Sequence, residues 1–386
     1  MSTTTPNYLE AGHILSAYGD RLAQEGNDAG SQQALKIAMS IAKHERNLVL
    51  EIMTLINAAS ADAANFRLQE SLEKSLRAIE LAQSVADPLP DRAALAYLHS
   101  LRFEYNRADL AAAWRYAETY QTLCERTGVP AFLAGSLYAS AKVAALGGEW
   151  QRARSFFERG VRELPDLAQT LNAFMLIAVQ TLVEYAVGDF KQGEALLSRL
   201  LEILHSAPPE PGWVHLFVSQ TIAISARVSG TMHYFDVARE AAETVLASQR
   251  VSPWFTWFAR TSLALLAVQQ EDTRAVQEQY TSLLKGERAF LLMDGDRLLG
   301  ILAAAIGELD QAATHFEAAL AIWGKGRYPE HAWTAYDFAD TLLQRGHPGD
   351  NNRATTLLDE ALSISDELGM NPLKERVLLR QASLKS

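Results

Sequence analysis

Apolar residues recur at three- and four-residue spacing along most of the chain, in helix-length blocks broken by short polar stretches. That spacing gathers the apolar side chains of each block on one helical face. No stretch carries the alternating Val/Ile/Thr pattern of a half-buried strand, so the pattern predicts an all-α protein. Proline and glycine fall in the breaks, at Pro88-Leu89-Pro90, Gly128-Val129-Pro130, Leu164-Pro165-Asp166, Pro208-Pro209-Glu210-Pro211, Ser252-Pro253, Tyr328-Pro329 and Gly346-His347-Pro348-Gly349-Asp350. Proline in a first helical turn loses only an N–H that would be unpaired there anyway.

The blocks are not independent. A small residue is followed four and seven positions later by further small or apolar residues, most clearly after the turn at Gly307, with Ala312, Phe316 and Ala319. The same frame fits Ala34/Ala38/Ile41, Ser71/Ser75/Ala78, Ala113/Ala117/Tyr120, Ala153/Phe157/Gly160, Gly193/Leu197/Leu200, Ala238/Ala242/Val245 and Ala354/Leu358/Ala361; its weakest copy is Ala275/Gln279/Ser282. Each triplet marks the start of a second helix whose small residues let a partner approach closely. Partner segments begin upstream, near Asn7, Asn47, Asp91, Pro130, Asp166, Gly212, Ser252, Ala289 and Pro329. A period of about 40 residues is that of a repeat array. The expected architecture is a right-handed superhelical solenoid of about nine antiparallel helix pairs over residues 7–370. Residues 1–6 are expected to be disordered, and 371–386 to form a capping helix and tail that cover the last apolar face.

The Gly/Ala, Tyr/Leu, Ala, Phe, Ala spacing resembles the tetratricopeptide repeat. Copy eight has Leu299-Gly300 at the large-small pair, then Ala312, Phe316 and Ala319; copy nine has Phe338-Ala339, then Ala354 and Ala361. The period exceeds the usual 34 residues or so and is similar to that of the MalT-like repeat domain in LuxR-type bacterial transcription regulators and related signalling ATPases. The passage from His331 to Gly346, with Arg353 to Met370 after it, is similar to the final repeat of that group. The resemblance implies an effector- or protein-sensing module, whose neighbours there are an NTPase and an output domain. This sequence has no G-x-x-x-x-G-K-[ST] motif and no helix-turn-helix segment after Leu384, so the resemblance reaches the module alone.

Composition narrows the partners. Of 386 residues, 35 are Lys or Arg and 46 Asp or Glu, a net charge of -11, which argues against a general phosphate-backbone binder. A single cysteine, Cys124, rules out an internal disulfide, fits a cytoplasmic chain and reads as an inert core residue. The N-terminus lacks the basic and apolar segments of a signal peptide, and no run approaches the roughly 20 apolar residues of a membrane span. The histidines form no H-E-x-x-H motif and no i, i+4 pair, and read as surface or helix-end residues. No G-x-S-x-G elbow is present. The reading is therefore a protein without catalytic activity, cofactor or metal.

In a stack of helix pairs the first helices line the inner face. Counting back from each triplet predicts the inward positions Arg102, Tyr105, Tyr138, Lys142, Tyr185, Phe217, Gln220, Arg227, Trp257, Arg260, Asp294, Arg297, Trp333, Tyr336 and Asp340. Five of these are cations, interleaved with aromatics, a set suited to a carboxylate-bearing ligand or peptide. The competing reading is that Arg260 and Arg297 pair with Asp294, Asp296 and Asp340 between adjacent repeats. Copies six to nine, where Trp254, Trp257, Trp333 and Tyr336 concentrate, are the expected main site. The function that follows is binding of a protein, a peptide or a small acidic effector, with a free-standing scaffolding adaptor as the alternative and an enzyme on a helical scaffold less favoured.

Overall fold

The computed structural model describes residues 7–84, 98, 107–164, 173–207, 212–286, 292–324 and 326–384. Among them the secondary structure is entirely helical, in eighteen helices. These are α1 (Tyr8–Gln24), α2 (Asp28–His44), α3 (Leu48–Ala64), α4 (Leu68–Gln83), α5 (Leu110–Thr127), α6 (Pro130–Leu146), α7 (Trp150–Glu163), α8 (Ala173–Val187) and α9 (Phe190–Ser206). They continue with α10 (Trp213–Ser229), α11 (Phe235–Ala247), α12 (Pro253–Gln269), α13 (Thr273–Leu283), α14 (Gly295–Ala305), α15 (Leu309–Trp323), α16 (Pro329–Arg345), α17 (Asp350–Glu367) and α18 (Asn371–Ser383). The chain divides into two compact units, residues 1–136 with 246–256 and residues 137–245 with 257–386. No described helix is long and apolar enough to cross a membrane.

A two-residue reversal recurs within the pairs. At Gly26-Asn27, Gly26 has φ +79°, the Asn27 N–H donates back to the Leu22 carbonyl (2.8 Å), and the Asn27 side chain accepts from the Gly30 N–H (3.0 Å). One residue thus closes the first helix and the next opens the second, satisfying orphan groups of both. Gly188-Asp189 repeats the arrangement, with Asp189 N–H on the Glu184 carbonyl (2.9 Å) and its carboxylate on the Gln192 N–H (3.1 Å). One series of left-handed residues, Gly26, Phe66, Ala108, Gly148, Gly188, Gly230, Glu271, Gly307 and Gly346, is spaced by about 40 residues, and Arg46, Gly128, Gly349 and Gly369 are left-handed outside it. Three of these nine are not glycine, although the left-handed region costs a side chain roughly 1–2 kcal/mol. At Phe66 the cost is offset by burial of the ring against Trp254, 5.3 Å away.

Second helices pack through the small residues of the triplets. Ala38, Ser75, Ala113, Ala117, Ala153, Ala238, Ala242, Ala312 and Ala319 have no accessible surface. A Cβ on Gly193 would stand 2.6 Å from the Tyr185 ring, and one on Gly300 would stand 2.8 Å from Phe316, so glycine at these two positions permits the close approach. The weakest triplet needs correction: α13 buries Val276, Tyr280 and Leu283, one residue later than Ala275, Gln279 and Ser282. The turn residue Glu271 sets this register, because the small position follows the left-handed residue by five, as Ala153 follows Gly148 and Ala312 follows Gly307.

Contacts run within pairs and from first helix to first helix in three places: α1 with α2 and α3, α8 with α9 and α10, α14 with α15 and α16. First helices are consequently covered on most sides, and α8 and α10 are apolar around nearly their whole circumference. Gly300→Val forces its side chain into Phe316, which is fully buried and stacked on Phe338 (5.6 Å). Overpacking of this kind is expected to cost about 1–3 kcal/mol, read as a lower urea midpoint; an unchanged midpoint contradicts the packing described.

Candidate functional site

Positions facing inward on the first helices share a register with the left-handed turns. Tyr185 and Arg227 stand three residues before Gly188 and Gly230, Lys142 six before Gly148, Arg297 ten before Gly307 and Trp333 thirteen before Gly346. These separations follow the helical period, so the residues form one stripe repeated on successive helices. In residues 137–245 with 257–386 the stripes of α6, α8, α10, α14 and α16 border a cleft that encloses about 910 Å³ between atoms, its open mouth included.

Hydrocarbon forms most of the wall, including Leu146, Val179, Val183, Ile224 and Leu292. Three aromatics join it, and two of them have their polar atoms engaged elsewhere: Tyr185 donates to Glu194 (3.0 Å) and Trp150 Nε1 to the Leu368 carbonyl (2.6 Å). The third, Trp333, has the guanidinium carbons of Arg297 and Arg376 at 5.4 and 5.6 Å from its ring. Such contacts add cation–π attraction to packing.

Four charged side chains also line the cleft: Lys142, Arg227, Arg297 and Glu330. Arg297 is buried and bonds Glu330 (3.1 Å) and Asp337 (2.9 Å). Burial pulls its guanidinium pKa down, and the two carboxylates more than restore it. Arg227 Nη2 bonds the other oxygen of Asp337 (2.5 Å), so one carboxylate ties α10, α14 and α16 together. Arg227 Nε is buried and has no hydrogen-bond acceptor, an arrangement that costs about 1–3 kcal/mol.

The C-terminal helix α18 lies beside this cleft. Arg376 donates to the Arg227 and Val228 carbonyls (2.8 and 2.9 Å) at the end of α10, Asn371 donates to the Val187 carbonyl (3.1 Å) at the end of α8, and Leu368 abuts Gly148. A cation at a helix C-terminus meets unpaired carbonyls and the negative end of the dipole. Farther along, Arg380 Nε stands 2.6 Å from Asp340. Burial raises the pKa of Asp340 and of Tyr336 and lowers that of Arg376. Pro372, Leu373 and Val377 are buried, and α18 packs on α17 while also touching α8 and α10.

Lys142, Arg227, Arg297 and Trp333, all expected from the register, therefore meet at one cleft together with Tyr185. Tyr336 and Asp340 lie on the same stripe of α16 but meet α18 instead. Tyr138 joins an aromatic group with Phe217 (5.7 Å), which also touches Phe174, and Gln220 donates to the Phe258 carbonyl (3.3 Å). Asp294 is not a cleft residue: it caps α14 by accepting from the Arg297 N–H (2.9 Å) and also accepts from Trp323 Nε1 (3.0 Å). Trp257 and Arg260 do not line the cleft either; the ring of Trp257 packs beside Gly286 and Phe258, and Arg260 bonds Gln279 (3.2 Å). They were placed by the slipped triplet, and the stripe on α12 passes through Phe258 and Thr261, thirteen and ten residues before Glu271. Arg102 and Tyr105 fall outside the described residues.

The sequence did not point to Trp150 and Glu330 in the cleft, nor to Asp337, which bonds its arginines. Glu330 and Asp337 follow from α16's own spacing, since residues three and four away from Trp333 share its side of the helix. Two histidines expected at the surface are buried: burial lowers the pKa of His215, and His315 stands 3.2 Å from the Tyr280 hydroxyl and 3.4 Å from Asp296. Cys124 is buried, and burial pushes its thiol up to about 12. No group of three or more potential metal ligands occurs among the described residues.

Asp294 gives the region a pH dependence. Burial, and then the nearby Glu330 charge, push its carboxyl from 3.8 up to about 6. A raised native pKa means that the folded form holds the proton more tightly, so the stabilisation is complete below about pH 4 and is lost as pH rises through 6. Relative to Asp294→Asn, the wild-type protein should lose up to about 3 kcal/mol between pH 4 and pH 7. Urea titrations of the two proteins at both pH values test this, and parallel stabilities contradict the assignment.

No protein-family model matches this chain, and no curated protein sequence matches it either.

Proposed function

We propose that the chain is a non-catalytic effector-sensing module of the tetratricopeptide kind, built as a right-handed solenoid of nine helix pairs, and that a small molecule seated in the cleft is its effector. The observation that carries this reading is the coincidence of the repeat register with the cleft: the inward stripe predicted for first helices is the stripe that borders it. The nine left-handed turns at a period of about 40 residues support the repeat count and the likeness to MalT-like arrays. On this reading the module belongs to a bacterial signalling or transcription regulator in the cytoplasm. A small ligand is favoured over a peptide because α18 covers Tyr336 and Asp340, the part of the α16 stripe that an extended peptide would need.

The alternative is a free-standing adaptor that scaffolds a protein complex, supported by the exposed apolar side chains Leu378 and Leu379 on the outer side of α18. Ala186→Phe separates the two readings, because Ala186 lines the cleft on α8 and a phenyl group there obstructs it. Native mass spectrometry after incubation with a small-molecule extract should show an adduct on the wild-type protein and none on the variant. An adduct retained by Ala186→Phe moves the seat elsewhere, and a protein partner held equally by both forms favours the adaptor.

A further inference from the structure

The cleft has the chemistry of a particular ligand class, and this step rests on the cleft's being a ligand seat. Its described walls contain no serine, threonine, asparagine, glutamine or histidine, and the Tyr185 hydroxyl and Trp150 N–H are both committed to other partners. A sugar or other polyol entering it would give up its hydrogen bonds to water and find few replacements. The hydrocarbon of Val179, Val183 and Ile224 favours an apolar body instead.

The polar groups that remain are charged and unevenly placed. Arg297 is committed to Glu330 and Asp337. Arg227 gives one arm to Asp337 and keeps its buried Nε without an acceptor, and Lys142 borders the same cleft from α6. An oxygen anion would meet both cations, and the geometry of a guanidinium edge suits a carboxylate. The carboxylates of Glu330 and Asp337 stand close by, which disfavours a doubly charged phosphate through like-charge repulsion.

We infer that the cleft binds an amphiphilic monocarboxylate, with its head on Arg227 and Lys142 and an aliphatic or aryl body along the walls of α8 and α10. Octanoate, octanol and inorganic phosphate are suitable probes, titrated calorimetrically into the full chain at one pH. Octanoate should bind at least about tenfold more tightly than octanol, and phosphate should give no binding heat. Arg227→Gln and Lys142→Met should each weaken octanoate by about tenfold or more and leave octanol unchanged. Far-UV circular dichroism of both variants checks that they remain folded. Equal binding of octanoate and octanol, or octanoate binding insensitive to both substitutions, overturns the head-group assignment. In that case, loss of both probes in Ala186→Phe preserves the cleft as a ligand seat. Binding unchanged in Ala186→Phe, or absence of binding by all three probes, overturns the seat as well.

Discussion

The short reversal from one helix to the next is the constraint on which the rest depends. At Gly26-Asn27 and Gly188-Asp189 a left-handed residue follows the first helix, and its successor both ties back to that helix and caps the second. So short a link leaves the two helices of a pair no choice but to lie side by side. It also relates the rotation of both, because the small residue follows the left-handed one by five positions at Gly148, Gly188 and Gly307 and by eight, about one helical turn more, at Gly26, Gly230 and Gly346. A change of one residue at the turn would rotate a helix face by about 100°.

Inner helices built this way become apolar on almost every side, so any charge among them needs a specific partner. Burial of an unmatched ion costs several kcal/mol. Asp337 answers this by serving Arg227 with one oxygen and Arg297 with the other, while Glu330 takes Arg297's remaining arm. The charges also stand where the backbone favours them: Arg227 in the last turn of α10, Glu330 in the first turn of α16, Asp294 at the N-cap of α14. Much of the cleft's electrostatics is therefore structural, and Arg227 Nε is a group that structure leaves unsatisfied.

Fold class and most of the site were legible in sequence for the same reason. Three- and four-residue spacing reports a buried face wherever the turn is marked by glycine, and Lys142, Arg227, Arg297 and Trp333, counted back from the small residues of the triplets, border the cleft. Where the left-handed residue is Glu271 the mark is missing, the triplet was taken one residue early, and Trp257 and Arg260 were chosen in place of the stripe through Phe258 and Thr261. The capping role of Asp294 was hidden for another reason. Its position lies on the stripe, but α14 begins one residue later, so its carboxylate turns to the Arg297 N–H rather than inward. The course of α18 past α8 and α10 was also illegible, because its contacts there are to backbone carbonyls more than 140 residues away, and a carbonyl has no sequence signature.

Those contacts explain why only part of the stripe on α16 borders the cleft. The stripe on α16 is shared: Trp333, at its N-terminal half, borders the cleft, whereas Tyr336 and Asp340 meet Arg376 and Arg380 of α18. What seats α18 differs along its length. Pro372, Leu373 and Val377 bury hydrocarbon, the term that carries most of the stabilisation. The Arg380–Asp340 pair remains partly exposed, where ion pairs contribute about 0–1 kcal/mol. Arg376 has the more specific task, since its guanidinium bonds the terminal carbonyls of α10 while lying against Trp333. Beyond that buried hydrocarbon, α18 is thus held by two elements, the end of α10 and the face of Trp333, that also border the cleft.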